Sequence, residues 1–159
     1  MIDGVTLRPV TAEDLDFLRE MTLLAAFPPG AVPDGATELP RVRRWTEDWG
    51  RPTDAGVVAW RGPERIGAAW CRVQEEVLLR DDSDRALPEL AIAVLPASRG
   101  RGVGGELLRG VELAASGAGH QALSLTVHAT NPALRLYERA GFTIVRRDGD
   151  RVTMNKPLG

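Results

Sequence analysis

The stretch LAIAVLPASRGRGVGGELL, residues 90–108, decides the reading of this chain. An apolar run of small and branched residues stops at Pro96. Helical spacing then begins, with Val103, Leu107, Leu108, Val111 and Ala115 recurring on one face. Between the two stand Arg99-Gly100-Arg101-Gly102-Val103-Gly104-Gly105. Glycine weakens the start of a helix unless the backbone has to approach another group closely. A strand, a glycine loop and a helix start together present successive main-chain N–H groups and the positive end of a helix dipole. That arrangement suits an anion.

Three glycine-loop chemistries compete for it. A nucleotide triphosphate loop needs a Lys-Ser/Thr pair after its last glycine, but Glu106-Leu107 follows Gly105. Gly100-x-Gly102-x-x-Gly105 does match the dinucleotide string, yet its strand ends near Leu95, ahead of the first glycine instead of running into it. The next strand closes on His128 where an acidic residue would hold a ribose. The third chemistry is a coenzyme A pyrophosphate ringed by main-chain N–H groups, with Arg99 and Arg101 adding charge nearby.

Working outward, Val5–Arg8 reads as a first strand, and Thr11 with Asp14 forms a variant capping box before a helix that Phe27-Pro28-Pro29-Gly30 ends. A second helix is expected over 38–49, carrying Leu39, Val42, Trp45 and Trp49. Strands follow at 56–60, 66–73 and 89–95, with an acidic stretch, Glu75 to Asp84, before the last. Beyond the glycines come the helix from Val103, a stop at Gly117-Ala-Gly119, and a period-two strand, 123–128. Asn131-Pro132 opens another helix to Ala140. Two strands, 142–146 and 151–156, flank the turn signal Asp148-Gly149. The order β-α-α-β-β-β-α-β-α-β-β describes an α/β (α+β) chain with one mixed, mostly antiparallel central sheet flanked by helices, expected to be a single domain over 1–159.

At this point the sequence resembles the GNAT (Gcn5-related) N-acetyltransferases. Arg99-x-x-Gly102-x-Gly104 is similar to their acyl-CoA signature. Asn131-Pro-Ala-Leu-Arg-Leu-Tyr137-Glu-Arg-Ala-Gly141-Phe142 resembles their second signature, a tyrosine-bearing helix ending in Gly-Phe. Leu90–Val94 followed by Pro96 looks like their central strand, and Leu7-Arg8-Pro9 with Asp14 like their first strand and helix. The resemblance implies a fold whose two central strands, 90–95 and 123–128, splay apart to admit acyl-CoA. It implies that the N–H groups of Gly100, Arg101, Gly102, Val103, Gly104 and Gly105 hold the pyrophosphate, with Arg99 alongside. Val94 and Leu95 would then pair with the pantetheine amides, and Ala91 and Ala93 would leave room beside the thioester. Tyr137 would protonate the departing thiolate; the other reading is a core aromatic. Asn131 is either a cofactor contact or a plain helix cap. Glu89 is the first choice of general base, against a solvated strand-end glutamate, with Glu75 and Glu76 behind it. The implied activity is transfer of an acetyl group from acetyl-CoA, as co-substrate, directly to a primary amine of a small molecule or a peptide. The alternative is an inactive acyl-CoA-binding module.

The rest of the composition narrows the field. The 159 residues carry a formal net charge of −2, so no overall basic field points to nucleic acid or an anionic membrane. Arg41, Arg43 and Arg44 are interleaved with Glu38, Glu47 and Asp48, which reads as an amphipathic helix. The acidic run could steer a cationic amine, or form a solvated hairpin. Cys71 is the one cysteine and sits in an alternating strand, so a buried small hydrophobe in a reducing, cytoplasmic setting is expected. His120 and His128 have no metal-ligand spacing, and no metal is expected. Homodimers are common among the chains it resembles, though no patch here argues for one. The acceptor side, Phe27 to Trp49 and Glu75 to Asp84, matches no substrate pattern.

Overall fold

The computed structural model describes residues 2–159. Strands β1 (Val5–Pro9), β2 (Ala55–Arg61), β3 (Glu64–Arg72), β4 (Glu89–Val94), β5 (Ala122–His128), β6 (Thr143–Asp148) and β7 (Arg151–Pro157) join in one sheet, ordered β1-β2-β3-β4-β5-β7-β6. Every neighbouring pair is antiparallel except β4 and β5. Helices α1 (Leu15–Ala26), α2 (Pro40–Arg43), α3 (Val103–Gly117) and α4 (Ala133–Arg139) cover the two faces.

Alternation along the strands splits the core into two layers. Val58, Ala68, Trp70 and Ala93 meet Leu18 and Met21 of α1 on one face. Val57, Ala59, Ala69 and Cys71 meet Val103, Leu107, Val111 and Ala115 of α3 on the other, where Tyr137 and Phe142 join them. The packing of α3 is close: a Cβ on Gly110 would lie 2.7 Å from Leu7 Cδ1. A larger residue there would force the Leu7 and Val57 side chains to shift.

The parallel pair hardly exists. Glu89 opposite Ser124 is its one register pair, fixed by the Ser124 N–H (2.9 Å) and hydroxyl (2.8 Å), both donating to Pro88 O. Beyond it β4 and β5 part, as the expected splay requires. On the other side of β4 all six of its residues keep register with β3, from Glu89–Arg72 to Val94–Gly67. The strand follows β3 and leaves β5.

The helix expected over 38–49 is corrected. Ala36–Glu38 is a 3-10 turn, Leu39 is extended as residues before proline tend to be, and α2 lasts four residues. The chain then turns to Asp48, a non-glycine residue at φ 53°. Side chains from β3 take the carbonyls that a continuing helix would use. Arg72 Nη1 donates to Arg44 O (3.2 Å) and Glu47 O (2.7 Å), and Trp70 Nε1 donates to Trp45 O (2.9 Å). Arg72 is fully buried and pairs with Asp54 through Nε (3.1 Å) and Nη2 (2.9 Å).

The acidic stretch forms a short hairpin: Leu87 N–H donates to Leu79 O and Asp81 N–H to Arg85 O, both at 2.9 Å, about the antiparallel bridge Arg80–Ala86, and the Asp81 carboxylate closes the turn on the N–H groups of Ser83 and Arg85. Helix α4 starts at Ala133, one residue later than expected, and the last strand pair is longer, 143–148 and 151–157.

Candidate functional site

The gap between β4 and β5 opens into a cleft of about 940 Å³ that passes through the sheet, touching Thr22 and Trp45 on the α1 side and Leu136 and Tyr137 on the α4 side. Its floor is the glycine turn. Gly100 (φ 75°) and Gly102 (φ 83°) both adopt left-handed backbone, which side-chain-bearing residues resist, and Gly102 caps α3. Among the described residues, none of the main-chain N–H groups from Gly100 to Gly105 donates to a protein acceptor; bonding resumes with Glu106 N–H to Gly102 O at 3.2 Å. A helix start always leaves its first N–H groups free. Here the left-handed turn adds further donors to them, so the run is longer than a helix start supplies.

The walls of the cleft are also main chain. Leu95 donates its N–H to Ile66 O (2.9 Å), on the β3 side. Alternation along β4 then turns the polar groups of Ile92 and Val94 toward the gap. Val94 O accepts from Arg99 Nε at 3.0 Å, consistent with that direction.

Of the residues singled out in the sequence, Glu89, Val94, Arg99, Gly100 and Gly102 to Gly105, with Asn131 and Tyr137, line this cleft. Leu95 and the Arg101 side chain do not. Asn131 acts as a cap in the structure: its Oδ1 accepts the Ala133 N–H at 2.9 Å. Tyr137 is buried, with Phe142 edge-on at 5.8 Å between ring centroids, and no described residue bonds its hydroxyl. Burial pushes its pKa up to about 12. Cys71 is likewise pushed to about 12, first by burial and then by Asp54, which makes it inert core.

Glu89 is not a solvated strand end. It is 6% exposed, and Arg44 Nη2 stands 3.4 Å from its Oε2. Its side chain belongs to the α1 face, with Ala91 and Ala93, whereas Tyr137 approaches from the α3–α4 face. The two candidates for proton transfer therefore flank the gap from opposite sides of the sheet.

Arg44 and Arg151 also line the cleft, and sequence reasoning did not single them out for it. Arg44 reads in sequence as part of an amphipathic face, and Arg151 lies at a strand end with no motif around it. Arg72 carried a signal that could have been used, an arginine inside the otherwise apolar strand Ile66–Val73.

Among the described residues no group of three or more His, Cys, Asp and Glu is placed for a metal ion, and no helix is long and apolar enough to cross a membrane. A family model described as acetyltransferase (GNAT) family matches residues 18–142. Solved structures share the fold at low identity. The yncA structure of Salmonella typhimurium, holding its cofactor acetyl-CoA, is 21% identical, with a TM-score of 0.74 over 99% of this chain and 95% of that one. A ribosomal-protein-alanine N-acetyltransferase from Brucella melitensis is 22% identical, with a TM-score of 0.72 over 96% and 99%. NAA60 of Arabidopsis thaliana, in complex with acetyl-CoA, is 22% identical, with a TM-score of 0.67 over 97% and 98%.

Proposed function

The chain belongs to the GNAT acetyltransferase family, and from that premise we propose that residues 1–159 act as one domain moving an acetyl group from acetyl-CoA directly to a primary amine. The observation that carries this reading is the run of N–H groups from Gly100 to Gly105, without a partner among the described residues, beside the gap between two parallel strands. An anion of several oxygens satisfies such a run at a helix start, and a chain bearing amides fits the main-chain groups of Ile92 and Val94. Two of the similar structures described above hold acetyl-CoA, which supports the same identity for the ligand.

When bound, acetyl-CoA supplies an activated acyl carbon and a thiol leaving group. The chain's residues do the rest. Gly100 to Gly105 grip the diphosphate. Arg99 donates to Val94 O, whose second lone pair stays open to the pantetheine arm, and it lines the cleft with its charge available to a phosphate. Val94, with Ile92, replaces Leu95 as the strand contact. The Tyr137 phenol keeps its proton through neutral pH and gives a hydrogen bond, then the proton, to the departing sulfur. Glu89, on the opposite face, takes the proton of the incoming ammonium. Proximity in one cleft contributes much of the rate.

A calorimetric titration of acetyl-CoA followed by thiol release across an amine panel tests this. One-site binding with amine-dependent thiol release is expected. Binding without release on any amine would favour a non-catalytic acyl-CoA-binding module, and no binding would remove the reading altogether.

A further inference from the structure

A second cavity, of about 610 Å³, adjoins the cleft on its α1 side, and Arg41, Arg44, Glu89, Thr126 and Arg151 line both. Its size is that of a small-molecule site. Glu89 thus stands at the junction, with the thioester channel on one side and this chamber on the other. The chamber is mixed in charge and not acidic throughout: Arg41, Arg44, Arg146 and Arg151 line it together with Glu75, Glu76 and Glu89.

Two of these arginines are already matched by carboxylates. Arg44 pairs with Glu89, and Arg146 Nε with Asp148 at 3.2 Å. The other two are not. Arg151 Nη1 donates to the Thr126 hydroxyl (3.1 Å) and Arg41 lies over the Phe27 ring (4.9 Å), and neither forms an ion pair among the described residues. An independent feature points the same way. Gln74, 6% exposed, lines this chamber, and its Nε2 is a buried donor with no partner among the described residues. A buried amide left unpaired is costly and rare, and normally marks a group awaiting a partner. Guanidinium forks and an amide N–H all donate and none accepts; a carboxylate is their fitting complement.

We propose that this chamber holds the acceptor, and that the acceptor is a small primary amine bearing an anionic group, of the free amino acid type. Its carboxylate sits against Gln74 and the unpaired guanidiniums of Arg151 and Arg41, and its ammonium turns to Glu89 at the junction. The inference rests on the acetyltransferase reading, and it separates a free amino acid from a peptide N-terminus, whose neighbouring carbonyl is neutral. A phosphonate shares the same chemistry.

The test is thiol release from saturating acetyl-CoA with the L-amino acids, each beside its carboxamide and its decarboxylated amine, with aminoalkyl phosphonates and short peptides as further arms. The expected result is at least one free acid or phosphonate with kcat/KM tenfold or more above its neutral-ended counterpart. For that acceptor, Gln74→Leu and the exposed Arg151→Gln each raise KM at least tenfold, while calorimetric acetyl-CoA affinity stays within threefold. A phosphonate preferred to every carboxylate keeps the anion site and changes its occupant. Preference for neutral amines or peptides, or an unmoved KM in Arg151→Gln, overturns the proposal alone; no turnover of any arm despite tight acetyl-CoA binding overturns it together with the transfer reading. Failure of the unmodified protein to bind acetyl-CoA overturns the parent reading with it.

Discussion

The two sides of the cleft are built by different means. On one side, the turn from Gly100 to Gly105 and the edge of β4 present main-chain groups, and their side chains are mostly absent or turned away. On the other, the segment around Arg44 and Trp45, with Gln74 and Arg151, presents side chains gathered from three distant parts of the chain. The first side offers what any diphosphate on a polyamide arm requires. The second offers a particular set of charges, fixed by contacts that only the folded chain makes. A backbone-made site can be shared widely because almost any sequence that bends correctly will do, whereas a side-chain-made site belongs to one substrate.

The sharpest way to break the contrast is at Asp54. Its partner Arg72 is fully buried and orders the segment after α2 through the carbonyls of Arg44 and Glu47. Asp54→Ala leaves that guanidinium buried and uncompensated, at a cost of about 3–5 kcal/mol. Chemical denaturation should show that loss; a change under about 1 kcal/mol would mean that segment is held by something else. Next in size is Tyr137→Phe, expected to cut turnover about a hundredfold with acetyl-CoA affinity unchanged in calorimetry. Equal turnover removes the phenol as the acid. Because burial raises its pKa to about 12, activity should show no alkaline fall from this group until pH approaches that value. The linked stability has a definite sign. The unfolded phenol ionises near pH ~10, so between there and about 12 the unfolded chain loses its proton first and stability falls.

Smaller effects separate backbone from side chain within the glycine turn. Gly102→Val must hold φ 83° with a Cβ 3.2 Å from Ile2 Cδ1, so the turn distorts. Acetyl-CoA affinity should drop on the order of tenfold, the equivalent of about 1–3 kcal/mol of backbone strain; an unchanged titration would sink the main-chain account. Arg101→Ala removes an exposed side chain that does not line the cleft and keeps the N–H. It should change the same affinity about twofold at most, within the worth of an exposed charge. A loss as large as that of Gly102→Val would move the burden from the backbone to charge.

The same contrast explains what could be read in advance. Glycine spacing, a proline stop and helical periodicity are local, so the turn, α3, β4 and the Asn131 cap were legible; the splay of the sheet came only through the family resemblance. The short α2 was not, because what ends it is Arg72 and Trp70 reaching from β3 to carbonyls about 25 residues away in sequence. Leu95 was misplaced by one residue, and in a strand one residue reverses which neighbour the backbone faces. Glu89 looked solvated because nothing adjacent in sequence announces Arg44, 45 positions earlier.

The single rung between Glu89 and Ser124 has a mechanical meaning. Four strands hang together on one side of it and three on the other, stitched by little more than that seam and the helices laid across it. A pantetheine arm wedged into the seam would act as a missing eighth strand. The chain would then be firmest when loaded, and the supply of thioester would govern its resistance to melting as well as its work.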